Sequence, residues 1–291
     1  MEFKNNKFKI LQLTDTHFGI LPAVEEDLKT YKAIERIIKA EKPDLIVHTG
    51  DIIWSEGIEN PEEIFVEVME FFDKLDIPIA ITFGNHDSED NVSRRRLREI
   101  FDQKISNKAP KSNSFIVDDF EAYTMEIKDG EDLILPLYLI DSGDYDKNSY
   151  GLYDYVKPEQ VEWFRNAAES LKKGDGIKKG IVFQHIPVPE YWFVIDDLIN
   201  GKCLETDEII SAPKINTGLF ANMVLNGEIW GMSVGHDHDN NFLAKYHDLY
   251  LSFANSTGYN AYGEVNKGVS VFEITKDPFE IIKRNVSFEG I

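Results

Sequence analysis

The chain has 291 residues, of which 42% are hydrophobic and 29% charged, proportions typical of a folded globular protein. Acidic residues outnumber basic ones by 52 to 31, and the net charge of −21 repels phosphate backbones and disfavours nucleic-acid binding. No apolar run approaches the roughly 20 residues of a membrane span, and the single cysteine, Cys203, excludes an internal disulfide, so we expect a cytoplasmic protein without a membrane segment.

Apolar runs and helical periodicities alternate through the first hundred residues. Buried strands are predicted at 8–14, 44–49 and 79–83. Helices are predicted at 25–40, at 62–75 after Pro61, and from the capping residue Ser93 to about residue 103. This alternation predicts an α/β core in which helices cover a sheet.

The rest of the chain is richer in strands. Strands are predicted at 114–117, 122–127, 133–141, 180–184 and 229–235, followed by antiparallel strands from residue 242. Helices are predicted at 217–226 and at 158–171, the latter ended by the loop Gly174-Asp175-Gly176. Segment 191–213 has no clean periodicity and is predicted to be a long active-site loop with some helix. Because no repeat or convincing linker is found, residues 1–291 are expected to form one domain.

Five short motifs place metal-binding side chains directly after apolar runs. They hold five of the seven histidines and are Asp15-Thr16-His17, Gly50-Asp51, Gly84-Asn85-His86-Asp87, Gln184-His185 and Gly235-His236-Asp237-His238. Asp, Asn and His bind divalent metals of intermediate hardness. The first and last motifs each carry ligand types two residues apart, a spacing that shares one face on a strand. Each motif alone is an ordinary turn signal, but together they predict one metal-dependent site.

In this order the motifs resemble the pattern of the calcineurin-like metallophosphoesterase superfamily: D-x-H, G-D, G-N-H-[DE], a separate H, and G-H-x-H. Segments 84–94, 235–242 and 258–263 further resemble the intracellular branch grouped with plant purple-acid-phosphatase-29-like proteins and a yeast phosphatase of the same type. The resemblance implies a four-layer α/β/β/α sandwich, in which two mixed sheets are flanked by helices.

The resemblance also implies two metal ions (iron, manganese or zinc) about 3.5–4 Å apart at the strand ends. The ligands of the first metal would be Asp15, His17, Asp51 and His238. The ligands of the second would be Asp51, Asn85, His185 and His236, so that Asp51 bridges. His86 would be the catalytic residue, which protonates or stabilises the leaving oxygen, and Asn85 and His86 would both contact the substrate.

One position departs from the family pattern. Many members carry Asp or Tyr three residues after the Gly-Asp aspartate, where this chain has Trp54. An indole neither binds a metal as tyrosinate does nor pairs with a histidine as aspartate does. What orients His86 is therefore open. Asp87 is adjacent, but neighbouring side chains on an extended chain diverge, so we expect only a structural role for it.

The leading hypothesis is a phosphomonoesterase acting on a phosphorylated substrate, with a metal-bridging hydroxide attacking phosphorus in line. A phosphodiesterase, for example of cyclic nucleotides, would use the same metals and His86. A nuclease is disfavoured by the acidic charge. The alternative of another class is a non-catalytic module that keeps the fold and its metals.

Residues outside the motifs receive simpler interpretations. His48, in a buried strand, is expected in the core. Arg94-Arg95-Arg96 are expected to form a solvated helix face, with a phosphate or partner contact as the alternative. The aromatic run from Tyr191 to Phe193 either lines a substrate pocket or packs its own loop. Tyr259 and Tyr262, among glycines after the last motif, could approach the site.

Overall fold

The computed structural model describes residues 1–19, 23–172, 179–206 and 208–289. The strands are β1 (Lys7–Leu13), β2 (Leu45–Thr49), β3 (Ile79–Thr82), β4 (Ser112–Val117), β5 (Phe120–Asp129), β6 (Asp132–Ile140), β7 (Gly180–Phe183), β8 (Leu198–Asn200), β9 (Ile229–Val234), β10 (Leu243–Tyr246), β11 (Leu249–Phe253), β12 (Gly268–Thr275) and β13 (Glu280–Ser287). The helices are α1 (Glu25–Glu41), α2 (Pro61–Lys74), α3 (Arg94–Lys104), α4 (Pro158–Leu171) and α5 (Leu219–Asn226). Short 3-10 helices span Asn85–Ser88 and Pro189–Val194.

The strands form two mixed sheets. One sheet has the order β13-β12-β1-β2-β3, in which β1, β2 and β3 are parallel and β12 and β13 are antiparallel additions. The other has the order β4-β5-β6-β7-β9-β11-β10-β8, with a parallel centre from β6 to β11 and antiparallel strands on both sides. Parallel centres bury strands on both faces, which explains why these segments read as continuous apolar runs.

Three apolar layers separate the four layers of secondary structure. Helices α1, α2 and α3 cover the five-stranded sheet through a cluster that includes Ile34 and Phe65. The two sheets face each other through a second cluster, which includes Ile10 and Leu137. Helices α4 and α5 cover the eight-stranded sheet through a third cluster around Phe164. The four-layer α/β/β/α sandwich implied by the family resemblance is therefore confirmed.

Element positions follow the sequence patterns closely. Helix and strand boundaries lie within two residues of the predicted ones. The exception is β8, which pairs with β10 at two positions inside the segment predicted as an irregular loop. The predicted loop Gly174-Asp175-Gly176 lies outside the described residues. No helix in the described part of the chain combines the length and the apolar character that crossing a membrane requires.

Arg94 corrects the expectation of a solvated arginine face. Its side chain is 2% exposed and its Nε donates to Asp141 Oδ2 at 2.8 Å, while Nη2 donates to the carbonyls of Gly84 (2.8 Å) and Gly143 (3.1 Å). Burial raises the pKa of Asp141 to about 6 even though Arg94 opposes the shift. The guanidinium thus joins the end of β6 to the turn that precedes Asn85.

We expect Arg94→Met to lower the free energy of unfolding by about 3–5 kcal/mol, because it leaves Asp141 and two carbonyls buried without their donor. The matched control is Arg95→Met: that side chain is 79% exposed and pairs with Glu99, so the change should stay within about 0.5 kcal/mol. Urea unfolding of both variants measures the difference. Equal losses in the two variants would contradict the assignment.

Candidate metal centre

The carboxyl ends of the parallel strands of both sheets meet at one edge, and the predicted ligands follow them. Asp15, His17, Asp51 and His236 all have positive φ (53°, 47°, 49° and 82°), a conformation that costs non-glycine residues free energy and concentrates at functional sites. Asp15 and His17 lie beyond β1, so their convergence comes from left-handed turns. The expectation that two positions on one strand face bring them together was therefore wrong.

Hydrogen bonds between loops hold these strained residues in place. The amides of Asp15 and His17 donate to the carbonyls of Gly50 and Asp51, each at 3.0 Å. The amide of His236 donates to Asp15 Oδ2 at 3.1 Å. The loops after β1, β2 and β9 are thereby locked to one another, which fixes the relative positions of the side chains they carry.

The first group of converging donors comprises Asp15, His17 and His238, all buried. His238 Nε2 lies 3.3 Å from Asp15 Oδ1, and His17 Nε2 lies 3.2 Å from His238 Nε2. Two imidazole nitrogens that face each other beside a carboxylate can share at most one proton, whereas a cation satisfies both lone pairs. The geometry suits a metal ion.

The second group comprises Asp51, His185 and His236, again all buried. His185 Nε2 lies 3.1 Å from Asp51 Oδ2 and 3.3 Å from His236 Nδ1. His185 Nδ1 donates to the carbonyl of Thr49 at 2.9 Å, which leaves Nε2 available as a ligand. Asp51 Oδ2 is also 3.6 Å from His17 Nε2 in the first group. Asp51 therefore belongs to the second group and also lies next to the first.

Asn85 offers the remaining oxygen. Its side chain is buried, and Nδ2 donates to Tyr145 Oη at 3.1 Å. Its Oδ1 has no hydrogen-bond partner among the described residues. A buried carbonyl oxygen without a donor is costly unless it meets a cation. The orphaned oxygen and the facing imidazoles fit a pair of metal ions.

Charge within the site favours cations. Burial alone would raise the pKa of both Asp15 and Asp51, but the surrounding histidines hold each pKa below its usual range, so both are carboxylates. Burial lowers the pKa of His236 well below its ordinary value. Burial would also lower the pKa of His185, yet the carboxylate of Asp51 raises it to about 9.

Glycines at the strand ends allow the close approach of the loops. A Cβ at position 235 would lie 1.9 Å from Thr14 Oγ1 and 2.6 Å from Asp15 Oδ2, and one at position 84 would lie 2.2 Å from Asp51 Oδ1. Since real Cβ contacts are essentially never this short, any larger residue must push the carboxylates of Asp15 and Asp51 aside. The two motif glycines are thus required by the packing of the site itself.

We expect Gly235→Ala to displace Asp15 and to lower turnover on the order of 10²-fold, the cost of a displacement of about 1 Å at a catalytic site. Bound metal should fall below that of the parent protein. Gly19→Ala is the control, because its Cβ would have its nearest contact at 3.6 Å from Trp54 Cβ. Elemental analysis and a phosphatase assay check both variants, and parental metal content in Gly235→Ala would contradict the packing argument.

Asp87 has the structural role expected of it. Its Oδ2 accepts from the amides of Gly84 (2.7 Å) and Asp51 (2.9 Å), and its Oδ1 accepts from those of Ile52 (2.8 Å) and Ile53 (3.0 Å). One buried carboxylate therefore satisfies four backbone donors. These bonds tie the turn before Asn85 to the loop that carries Asp51.

His86 belongs to neither group of donors. Its backbone amide donates to Asp51 Oδ1 at 2.9 Å. Its ring stacks on the indole of Trp54, with 4.1 Å between the ring centroids, and its Nδ1 lies 2.8 Å from Glu89 Oε1. Burial would lower the pKa of His86, but Asp51 and Glu89 raise it. Sequence reasoning missed Glu89. His86 and Glu89 are three residues apart, a spacing that brings side chains together on a 3-10 turn, but it signals a contact only once the 3-10 helix Asn85–Ser88, capped by Glu89, is known.

Aromatic side chains pack around the histidines. The ring centroid of Tyr262 lies 4.0 Å from that of His238, and the ring centroid of Tyr153 lies 4.3 Å from that of His236. Tyr259 instead packs on Phe288. Of the two tyrosines named as candidates, Tyr262 contacts one proposed ligand, His238.

Packing accounts for Tyr191 and His48. Tyr191 is buried, donates to the carbonyl of Met232 at 3.1 Å and packs on Phe253 of β11, so it belongs to the core and does not line a substrate pocket, whereas Trp192 and Phe193 are exposed. His48 is buried in the core, 3.0 Å from Thr16 Oγ1, as expected.

Comparison with known proteins agrees with this geometry. The family model described as calcineurin-like phosphoesterase matches residues 8–239. The "Probable inactive purple acid phosphatase 29" of Arabidopsis thaliana is 32% identical over 290 residues, which cover 89% of this chain and 74% of that protein. "Phosphatase DCR2" of Saccharomyces cerevisiae is 29% identical over 267 residues, 83% of this chain and 46% of its own length.

A solved structure shows the same fold. The dimetal phosphatase from Danio rerio superposes with a TM-score of 0.66 over 97% of this chain and 99% of its own. Its sequence identity is 11%, so the likeness concerns the fold alone.

Proposed function

The chain belongs to the calcineurin-like phosphoesterase family, and from this premise we propose that it is a two-metal phosphoesterase that hydrolyses phosphate monoesters. The observation that carries the proposal is the position of Asp51 between two buried groups of metal-binding side chains, with His86 beside them. The choice of a monoester over a diester is supported by the name of the yeast relative, "Phosphatase DCR2".

The proposed ligands are Asp15, His17, Asp51 and His238 for one ion, and Asp51, Asn85, His185 and His236 for the other. Two metal ions there would supply an activated water nucleophile and positive charge for the phosphate oxygens. None of the seven ligands, nor His86, is a lysine or arginine. The proposed ligands include two carboxylates, so binding of phosphate at these side chains should depend on metal.

Exposure separates the roles of the histidines. The side chain of His86 is 19% exposed, whereas those of His185 and His238 are 0% and 4% exposed. The burial of His185 and His238 supports their proposed role as metal ligands. His86 is placed to meet a ligand that arrives from solvent, which suits a residue that contacts phosphate and assists the leaving oxygen.

The experiment pairs metal content with substrate preference. Protein stripped by a chelator is reloaded separately with manganese, zinc or iron, its metal is quantified, and para-nitrophenyl phosphate is assayed beside bis-para-nitrophenyl phosphate. We expect two ions per chain and faster turnover of the monoester.

The other outcomes overturn defined parts of the proposal. Faster turnover of the diester would identify a phosphodiesterase. Two bound ions without turnover of either ester, under any of the three metals, would identify a non-catalytic module, in keeping with the word "inactive" in the name of one relative. The Asp51→Asn variant, purified in parallel, reports contaminating phosphatase.

A further inference from the structure

We propose that Glu89 positions His86 for proton transfer to the leaving group. It would replace the aspartate that many family members carry at the position of Trp54. The proposal rests on the proposed phosphoesterase function. It concerns a side chain that lies outside the two groups of metal-binding donors.

Glu89 holds one edge of the His86 imidazole. The 2.8 Å contact joins Glu89 Oε1 to His86 Nδ1, and the Glu89 side chain is 10% exposed. An exposed carboxylate–imidazole pair would contribute little orientation, because both side chains would move freely in water. Here burial restricts the carboxylate, so its hydrogen bond fixes the rotation of the ring and leaves Nε2 as the nitrogen available for proton transfer.

Neighbouring groups hold Glu89 in turn. Tyr145 Oη donates to Glu89 Oε1 at 2.9 Å, and the same hydroxyl accepts from Asn85 Nδ2 at 3.1 Å. The Glu89 amide donates to Ser55 Oγ at 2.8 Å, and that hydroxyl donates to the His86 carbonyl at 2.7 Å. One continuous chain of hydrogen bonds therefore joins the Asn85 amide to the His86 imidazole.

Trp54 and Glu89 divide the task of orienting the ring. The indole lies against the face of His86, with an angle of 20° between the planes, and limits tilting. It cannot accept a hydrogen bond from Nδ1, since its single polar group is a donor. The carboxylate at the ring edge supplies that acceptor.

The proton transfer is balanced within this arrangement. As the bond between phosphorus and the leaving oxygen breaks, His86 Nε2 gives its proton to that oxygen, and the alcohol departs neutral. The imidazole becomes neutral and keeps its other proton on Nδ1, directed at Glu89 Oε1. The attacking water supplies the oxygen that phosphorus gains and releases one proton to solvent, and His86 Nε2 takes one proton back from solvent before the next turnover. The carboxylate thus stabilises the protonated imidazole and selects the correct tautomer afterwards.

The test is the dependence of turnover on the leaving group in Glu89→Gln. Para-nitrophenolate leaves without needing a proton, so kcat for its phosphate should fall less than about threefold. For an alkyl phosphate such as glycerol phosphate, kcat should fall on the order of 10²-fold, the usual contribution of general acid catalysis. Metal content should stay at the parental value. An equal loss for both esters would show a structural role and overturn the proposal.

Two controls sharpen the result. Asp90 is on the same turn and accepts from the Gly57 amide at 3.0 Å, so Asp90→Asn should leave the ratio of the two rates unchanged. In a His86→Ala background, Glu89→Gln should cause no further loss with glycerol phosphate, because it acts through the missing ring. A further tenfold loss in that background would show that Glu89 acts independently of His86.

A spectroscopic measurement separates this proposal from the proposed function. The ¹⁵N resonances of the His86 ring, assigned by their loss in His86→Ala, should show Nδ1 protonated in the parent and altered in Glu89→Gln. Protein without phosphoesterase activity but with this change would refute the function and retain the positioning. Resonances unaffected by Glu89→Gln would overturn the positioning whatever the activity.

Discussion

Asp51→Asn is expected to reduce bound metal below one ion per chain and to lower turnover by at least about 10³-fold. A metal pair contributes several kcal/mol of charge stabilisation to phosphoryl transfer, and each 1.36 kcal/mol corresponds to about a factor of ten in rate. Asp15 and Asp51 are the two carboxylates of the proposed ligand set. Removing one of them halves the negative charge that faces two cations.

The amide of asparagine also fits the site poorly in either orientation. Asp51 Oδ2 lies 3.1 Å from His185 Nε2 and 3.6 Å from His17 Nε2, both of which are needed as ligands. An NH2 group there would donate to those nitrogens and occupy their lone pairs. In the flipped orientation, the NH2 group would face the His86 amide that now donates to Oδ1 at 2.9 Å. Neither rotamer restores the bridge.

The measurement is metal content by elemental analysis together with kcat for para-nitrophenyl phosphate. Asp248→Asn is the matched control, because that carboxylate is 92% exposed and pairs with Lys245 away from the site. It should retain parental metal and turnover. Circular dichroism establishes that both variants are folded. An Asp51→Asn protein with two ions and more than a tenth of parental activity would refute the bridging role.

The residues of the site could be predicted because the sequence pattern shows where the buried strands end. The runs before Asp15, Asp51 and His236 are apolar on both faces, as strands between two layers must be. Parallel strands bring their carboxyl ends to one edge, so the polar residues that follow such runs converge. Residue type and order then predict which side chains meet, even though 221 positions separate His17 from His238.

The local geometry could not be predicted in the same way. The left-handed conformations of Asp15 and His17 are unfavourable in isolation and persist because a loop about 35 residues away supplies carbonyl acceptors. Periodicity describes regular strands and carries no information about such turns. The strand-face explanation of the Asp15–His17 spacing failed for this reason, although the pairing itself was found.

Two charged residues near the site, Glu89 and Arg94, were respectively missed and wrongly predicted for a related reason. Glu89 stands in a polar run, and Arg94 begins a run of three arginines, so both look like solvent-facing positions. Arg94 shares a helix face with Leu97 and Phe101, a spacing of three and seven residues that indicates burial. The 3-10 helix at Asn85–Ser88 brings Glu89 next to His86, and no apolar pattern in the sequence predicts this helix.

His86→Ala is expected to lower kcat by a factor on the order of 10²–10⁴ while leaving metal content unchanged. The ring makes no direct hydrogen bond to a proposed ligand: Nδ1 faces Glu89, one face packs on Trp54, and the ring centroid lies 5.3 Å from that of His17. The hydrogen bond to Asp51 Oδ1 comes from the backbone amide, which alanine keeps. The bridging carboxylate should therefore stay in place, and the loss should fall on the chemical step.

The size of the loss should depend on the ester, which separates chemistry from binding. Para-nitrophenyl phosphate should lie near the lower end of the range, because its leaving group needs no proton, and glycerol phosphate near the upper end. His247→Ala is the control, since that imidazole is exposed and lies in the turn after β10. Parental turnover of both esters by a His86→Ala protein that binds two ions would refute the catalytic role. A proportional loss of metal and activity would instead make His86 a residue that shapes the metal site.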